Sequence, residues 1–133
     1  MTLRIVEKSL TMKTEMGGRI IHGMVTGKLE KEDYELFVPV LEEQIERHRP
    51  IRLFLELQNF EGWTAGAFWE ECKLGYRHLG KDVERIAVVG NKGWEQGMTS
   101  FIQPFTSTDV RYFDAKDREQ AEKWIHEDLR AAA

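Results

Sequence analysis

Hydrophobic residues in this chain fall into short apolar runs that alternate with longer segments of helical spacing. Short runs bounded by turn residues are typical of buried strands. We therefore predict strands over residues 3–8, 19–26, 51–57, 85–89 and 109–113. Gly17 and Gly18 supply a turn before the second of these strands, because glycine adopts positive φ at little cost.

Longer segments repeat apolar residues every three or four positions, which is the spacing of an amphipathic helix. These segments are residues 31–48, 64–79, a third from Trp94 to about Phe105, and 116–130. In the second helix, Thr64 is a natural N-cap and Gly80 a natural residue to follow the C-terminus. Pro39 lies inside the first helix and predicts a kink or a restart, since proline lacks the backbone donor.

The second helix carries a marked apolar face, made of Ala65, Phe68, Trp69, Cys72, Tyr76 and Leu79. Such stripes usually pack in a core. We therefore expect Cys72, in the middle of this face, to be an inert buried thiol rather than a nucleophile. The final helix should turn a second apolar face inward, formed by Ala121, Trp124, Ile125 and Leu129.

Strands and helices alternate along the chain after an initial pair of strands. This order predicts an α/β fold, in which a mixed, mostly parallel five-stranded sheet packs against about four helices. The initial hairpin contributes the antiparallel strand. Neither a low-complexity segment nor a linker interrupts the 133 residues, so we expect one domain spanning residues 1–133.

Composition narrows the range of partners. Hydrophobic residues make up 41% and charged residues 32%, as in a soluble globular protein. The net charge of −4, without a basic cluster, argues against nucleic acid as a partner. The single cysteine cannot form an internal disulfide, and we find neither a signal peptide nor a membrane-spanning segment. The expected location is therefore cytoplasmic.

No constellation of residues predicts catalysis, a metal site or a bound cofactor. Gly90-Asn91-Lys92-Gly93 lies between a strand and a helix but matches neither nucleotide-binding glycine pattern. A tight turn is expected there, with anion binding at the helix start as the alternative. The four histidines are scattered singly, and the carboxylate-rich stretches fall on polar helix faces. We therefore expect a protein that is not an enzyme.

Aromatic and methionine residues cluster around the starts of the second and third helices. Core packing explains each of them taken singly. Together, beside several glycines, they can instead line an apolar cavity or form an exposed patch. The candidate ligand-binding residues are Trp63, Phe68, Trp69, Trp94, Met98, Phe101 and Phe105.

Short motifs spread over nearly the whole chain supply a further signal. They are Gly27-Lys28-Leu29, Glu32-Asp33-Tyr34, Pro39, residues 53–57, Phe60-Glu61-Gly62-Trp63, Arg85-Ile86-Ala87-Val88-Val89-Gly90, Trp94, Pro104-Phe105 and Val110-Arg111-Tyr112-Phe113. Their combination resembles the SpoIIAA-like proteins, which are small bacterial STAS-type domains. The resemblance implies a mixed β-sheet of the STAS kind with four or more helices.

This resemblance carries two functional implications. Anti-sigma-factor antagonists bind a kinase and are switched by phosphorylation of a serine at the start of the helix after the central strand. Where they carry Asp-Ser-Ser-Gly, this chain has Thr64-Ala65-Gly66-Ala67, so Thr64 is the nearest hydroxyl for phosphorylation. Similarity to CRAL-TRIO lipid carriers implies instead an apolar pocket and contact with a membrane through helices that open.

Our first hypothesis is therefore a domain that binds a small apolar molecule or lipid and associates reversibly with the inner face of the membrane. The helix that bears Trp94, Met98, Phe101 and Phe105 would act as its lid. The alternative is a regulatory module that binds a protein partner or a second copy of the chain, with Thr64 as the candidate phosphorylation site.

Overall fold

The computed structural model describes residues 4–6, 10–102 and 106–129, and only the backbone of residues 4–6 and 98–102. Its strands are β1 (Arg4–Val6), β2 (Leu10–Glu15), β3 (Ile20–Leu29), β4 (Ile51–Trp63), β5 (Val83–Gly90) and β6 (Asp109–Asp114). Its α-helices are α1 (Lys31–His48), α2 (Ala65–His78), α3 (Gly93–Ile102) and α4 (Arg118–His126). The strands lie side by side in chain order.

The predicted α/β class and the mixed, mostly parallel sheet are confirmed. Strands β1, β2 and β3 pair antiparallel, and β3 through β6 pair parallel. Within the described residues, five strands have six residues or more, and β1 adds three residues at one edge. The prediction missed β2. Its buried residues Leu10, Met12 and Thr14 alternate with polar ones over too short a stretch to stand out.

Helices cover the two faces of the sheet unequally. Each parallel connection leads from a strand to its neighbour, and such crossovers are right-handed, so α1, α2 and α3 lie on one face. On that face α1 buries Tyr34, Phe37, Leu41 and Ile45 in the larger core. Helix α4 packs on the other face through Ala121, Trp124 and Ile125, with Leu129 partly buried beside them, as predicted.

Strand β4 is longer than predicted, since it continues past residue 57 to Trp63. Its pairing with β3 shifts register on both sides of Gly27, and Asn59 has a φ of 52°, which marks a bulge. Beyond the bulge, Phe60 pairs with Gly27 and Trp63 with Leu29. The stretch between the predicted strand and the predicted helix is therefore held in the sheet, and it places Trp63 directly before the start of α2.

Of the two outcomes predicted for the proline in α1, a kink or a restart, the restart is absent. The helix runs from Lys31 to His48 through Pro39 without a restart. Pro39 is exposed on the helix, whereas the neighbouring residues Phe37 and Leu41 are buried against the sheet. Packing of the buried residues on both sides of the proline outweighs the loss of one backbone hydrogen bond.

Candidate functional site

Helix α2 begins where the sequence predicted. The hydroxyl oxygen of Thr64 accepts a hydrogen bond from the backbone N of Ala67 at 3.2 Å. The backbone N of Thr64 in turn donates to the carbonyl of Leu29 at 2.9 Å, which ties the helix start to the end of β3. At the other end, Gly80 has a φ of 87°, as expected for the glycine after a helix. Both predicted end signals are present.

The face of α2 that packs on the protein is not the predicted one. It carries Ala67, which is fully buried, and the partly buried Glu71, Leu74 and His78. Tyr34 on α1 donates a hydrogen bond from its hydroxyl to Glu71 Oε2 at 2.6 Å. The face that looks polar in the sequence is therefore the inner face.

His78 makes a second polar anchor on this inner face. Its Nδ1 lies 2.7 Å from Asp82 Oδ2, and its Nε2 lies 2.8 Å from Glu42 Oε2 on α1. Hydrogen-bond partners offset part of the desolvation penalty of a buried polar side chain. Glu71 and His78 find those partners only on the inner side, and Ala67 allows close approach, so these three residues set the rotation of α2.

The opposite face of α2 is exposed and apolar. Phe68 is 53% exposed, Trp69 64% and Tyr76 91%, and Cys72 between them is exposed as well. At about 100° of rotation per residue, these four side chains fall within an arc of roughly 100°. We call them the α2 stripe. Our expectation that they pack in the core, and that Cys72 is a buried thiol, is wrong.

A cluster of aromatic rings adjoins the α2 stripe at the carboxyl end of β4. The Trp63 ring lies 5.0 Å from Phe60, 5.9 Å from Phe68 and 6.4 Å from Trp94, measured between centroids. Phe60 and Trp94 are 5.7 Å apart. Phe60 is buried, Trp63 is half-buried, and Trp94 is 44% exposed. The cluster thus runs from the core to the surface, where Phe68 joins it to the stripe.

A hydrogen-bonded chain supports this cluster from below. Trp63 Nε1 donates a hydrogen bond to the hydroxyl of Tyr34 at 2.8 Å, and this hydroxyl donates in turn to Glu71. Burial raises the pKa of Glu71. Burial first, and the neighbouring Glu71 carboxylate second, raise the pKa of Tyr34 well above its usual range. Tyr34 therefore stays protonated and acts as a permanent donor, which fixes both Trp63 and α2.

The turn between β5 and α3 is closed by residues of the chain itself. The fully buried Glu95 accepts hydrogen bonds at Oε1 from the backbone N of Asn91 and of Lys92, both at 3.2 Å. Lys92 Nζ donates to the carbonyl of Phe60 at 2.8 Å. An anion at this helix start would compete with the Glu95 carboxylate, so the geometry favours the tight turn over anion binding.

The structure unites only part of the predicted ligand-binding set. Trp63, Phe68 and Trp94 come together in the aromatic cluster, and Trp69 lies on the stripe. Met98 and Phe101 belong to α3, but their side chains lie outside the described residues, as does all of Phe105.

Sequence reasoning missed two residues that position this site, Phe60 and Tyr34. Phe60 and Gly62 are buried on either side of the exposed Glu61, and this strand alternation could have revealed that Phe60 faces inward. Tyr34 carried no such signal, because its partners lie 29 and 37 residues away.

None of the helices in the described part of the chain combines the length and the apolar character needed to cross a bilayer.

Comparisons with known proteins point to one family. A family model described as SpoIIAA-like matches residues 20–126. An uncharacterised protein from Shewanella loihica with a SpoIIAA-like fold is 24% identical, with a TM-score of 0.71 over 94% of this chain and 92% of that chain. SiaC of Pseudomonas aeruginosa is 13% identical, with a TM-score of 0.58 over 86% of this chain and 98% of that chain. Among curated proteins, none matches. At these identities the solved structures show a shared fold.

Proposed function

This chain belongs to the SpoIIAA-like family, and we propose that it is a non-enzymatic regulatory module that docks a protein partner on the α2 stripe, with residues 1–133 acting as one domain. The observation that carries the proposal is the outward face of α2, where Trp69 and Tyr76 are 64% and 91% exposed. A helix that buries carboxylate and imidazole groups while it exposes aromatic rings has its apolar surface available for another molecule.

The chemistry of the stripe favours a protein partner with an apolar docking surface. Tryptophan and tyrosine are the side chains most enriched among residues that dominate binding energy at protein interfaces. The charges beside the stripe are compensated within the chain, because Lys73 Nζ lies 3.1 Å from Glu70 Oε1 and Arg77 Nη2 lies 3.4 Å from Glu42 Oε1. An apolar centre with a self-neutralised polar rim matches the usual anatomy of a protein interface.

Family resemblance supports Thr64 as the switch of this docking. Thr64 is half-buried at the N-cap of α2, one turn before Phe68. The side chain of Lys31 lies beside the first turn of α2, with its Cβ 3.4 Å from where a Cβ on Gly66 would stand. A phosphate on Thr64 would be favoured by the helix N-terminus. It would also place negative charge at the end of the apolar stripe and weaken an apolar contact there.

Binding of a small apolar molecule or lipid, with contact to a membrane surface, is the second candidate. The partial exposure of Trp94 at the start of α3, in a cluster that opens to the surface, supports it. Sites for small ligands are usually concave and enclose most of the ligand. The α2 stripe stands instead on the outside of a helix, and for this reason the protein partner ranks first.

A retention experiment with matched variants tests the proposal. Three forms of the chain are immobilised and incubated with extract of the source cells. They are the wild type, the Trp69→Ser/Tyr76→Ser variant, and a Glu119→Ser/Lys123→Ser control on the exposed face of α4. We expect a discrete protein to be retained by the wild type and the control, and its purified form to bind the stripe variant at least tenfold more weakly. Equal binding to the stripe variant contradicts the proposal. A co-purifying lipid in native mass spectrometry, without a retained protein, favours the second candidate.

A further inference from the structure

A second cluster of side chains lies on the opposite face of the sheet, between the end of β2 and the last two turns of α4. We propose that Glu15, Glu122 and His126 form a binding site for a divalent transition-metal ion such as Zn²⁺. One carboxylate oxygen from each glutamate and one ring nitrogen of the histidine lie within 4.8 Å of one another. This site is independent of docking on α2, and sequence spacing conceals it because Glu15 stands far from the other two residues.

The spacing of the ligand atoms suits a tetrahedral ion. His126 Nε2 lies 3.2 Å from Glu15 Oε2. Two ligand atoms that are each about 2.0–2.1 Å from a tetrahedral zinc ion lie about 3.3 Å apart. Glu122 and His126 are one turn apart on α4, so their side chains project from the same side of the helix. The three side chains are each about one-third exposed, at 29%, 31% and 33%, which leaves room for a water as fourth ligand.

The hydrogen bond that His126 makes through one ring nitrogen leaves the lone pair of the other ring nitrogen directed toward the proposed ion. His126 Nδ1 lies 2.8 Å from the backbone carbonyl of Glu122. A carbonyl oxygen only accepts, so Nδ1 carries the proton, and in the neutral imidazole Nε2 is the bare nitrogen. This bare nitrogen faces the Glu15 carboxylate at hydrogen-bond distance. Two acceptors in such contact repel unless a positive species lies between them, and either a second proton on the ring or a metal ion fills that role.

Neighbouring groups occupy the other oxygen of each carboxylate. Arg118 Nη1 lies 3.1 Å from Glu122 Oε1. Lys13 Nζ and His22 Nδ1 lie 4.0 Å and 3.6 Å from Glu15 Oε1. These contacts leave the Oε2 atoms for the ion, and the Arg118 contact is short enough to orient Glu122 as outer partners orient the ligands of protein-bound metals.

His22 provides an observation independent of the three ligands. Its side chain is 8% exposed, and its Nε2 makes no hydrogen bond although it is buried. The ring lies between two carboxylates, with Nε2 3.5 Å from Glu56 Oε2 and Nδ1 facing Glu15. The unpaired Nε2 faces Glu56 and Nδ1 faces Glu15, so a metal ion that holds Glu15 in place would also fix the carboxylate beside this buried ring.

Calorimetric titration of ZnCl₂ into the untagged, chelator-treated chain tests the site, with Glu122→Gln, Glu15→Gln and the control Glu119→Gln as variants. Glu119 is exposed on the same helix, and circular dichroism verifies that all the variants fold. We expect one Zn²⁺ per chain, at least tenfold weaker binding in both ligand variants, and unchanged binding in the control. The proposal is overturned if the wild type binds Zn²⁺ no more tightly than Glu122→Gln. It is also overturned if Glu119→Gln weakens Zn²⁺ binding as much as the two ligand variants do.

Discussion

Replacing Tyr34 by phenylalanine should test how the site is held together. Tyr34 is 1% exposed, and its hydroxyl both accepts from Trp63 Nε1 at 2.8 Å and donates to Glu71 Oε2 at 2.6 Å. The Tyr34→Phe variant keeps the ring, including its contact with Phe37 at 4.7 Å between centroids. It removes one oxygen atom and leaves two polar groups without their partner.

The size of the effect follows from those two groups. A neutral hydrogen bond contributes about 0.5–1.5 kcal/mol, and a buried polar group left without a partner costs about 1–3 kcal/mol. Glu71 is only partly buried, so water recovers some of its loss. We expect the free energy of unfolding to fall by about 2–3 kcal/mol, and the melting temperature to fall on the order of 10 °C for a chain of this size.

Urea denaturation followed by tryptophan fluorescence measures this change, and Tyr76→Phe is the matched control. Tyr76 is 91% exposed on the other face of the same helix, so its variant should stay within about 0.5 kcal/mol of the wild type. If Tyr34→Phe costs no more than Tyr76→Phe, then the chain from Trp63 to Glu71 does not hold α2, and the assigned rotation of this helix is refuted.

Further predictions address the same helix. The pKa of Glu71 is raised in the folded chain, so the stability that its protonated carboxyl contributes is present at low pH and is lost as pH rises through the folded pKa. Glutamine at this position does not titrate. The free energy of unfolding of Glu71→Gln, measured by denaturation between about pH 4 and about pH 8, should therefore rise relative to that of the wild type as pH rises. Thr64→Ala removes the N-cap and should cost about 1 kcal/mol in thermal denaturation, whereas Thr64→Ser should restore most of it. Trp69→Ser with Tyr76→Ser should change the free energy of unfolding by less than about 1 kcal/mol, because both rings are exposed; a larger loss in urea denaturation would mean that they pack in a core. Cys72 should react with a thiol reagent in the native protein nearly as fast as in urea, and full protection in the native state would contradict its exposed position.

The sheet could be predicted because its signal is local. Apolar runs such as residues 85–89 and the alternation of strands with helical segments indicated the class, and the inward face of α4 followed from Ala121, Trp124 and Ile125. The extension of β4 was missed because it depends on a bulge opposite Gly27, and this pairing joins residues more than thirty positions apart.

The rotation of α2 could not be predicted, for a physical reason. Periodicity located the stripe of Phe68, Trp69 and Tyr76 correctly, but periodicity does not say which face meets the sheet. That choice depends on the partners of Glu71 and His78, which come from α1 and from the residues after α2. A polar residue with a distant hydrogen-bond partner has the same appearance in a sequence as a solvated one.

The claim that the α2 stripe docks a protein is tested most directly by site-specific photo-crosslinking in the source cells. A photoreactive benzoyl-phenylalanine replaces Tyr76 in one variant and Glu119 on α4 in the control, and both positions are exposed. We expect irradiation to yield a discrete adduct of protein size at position 76 and none at position 119. The absence of an adduct at position 76, or the same adducts at both positions, would contradict the claim.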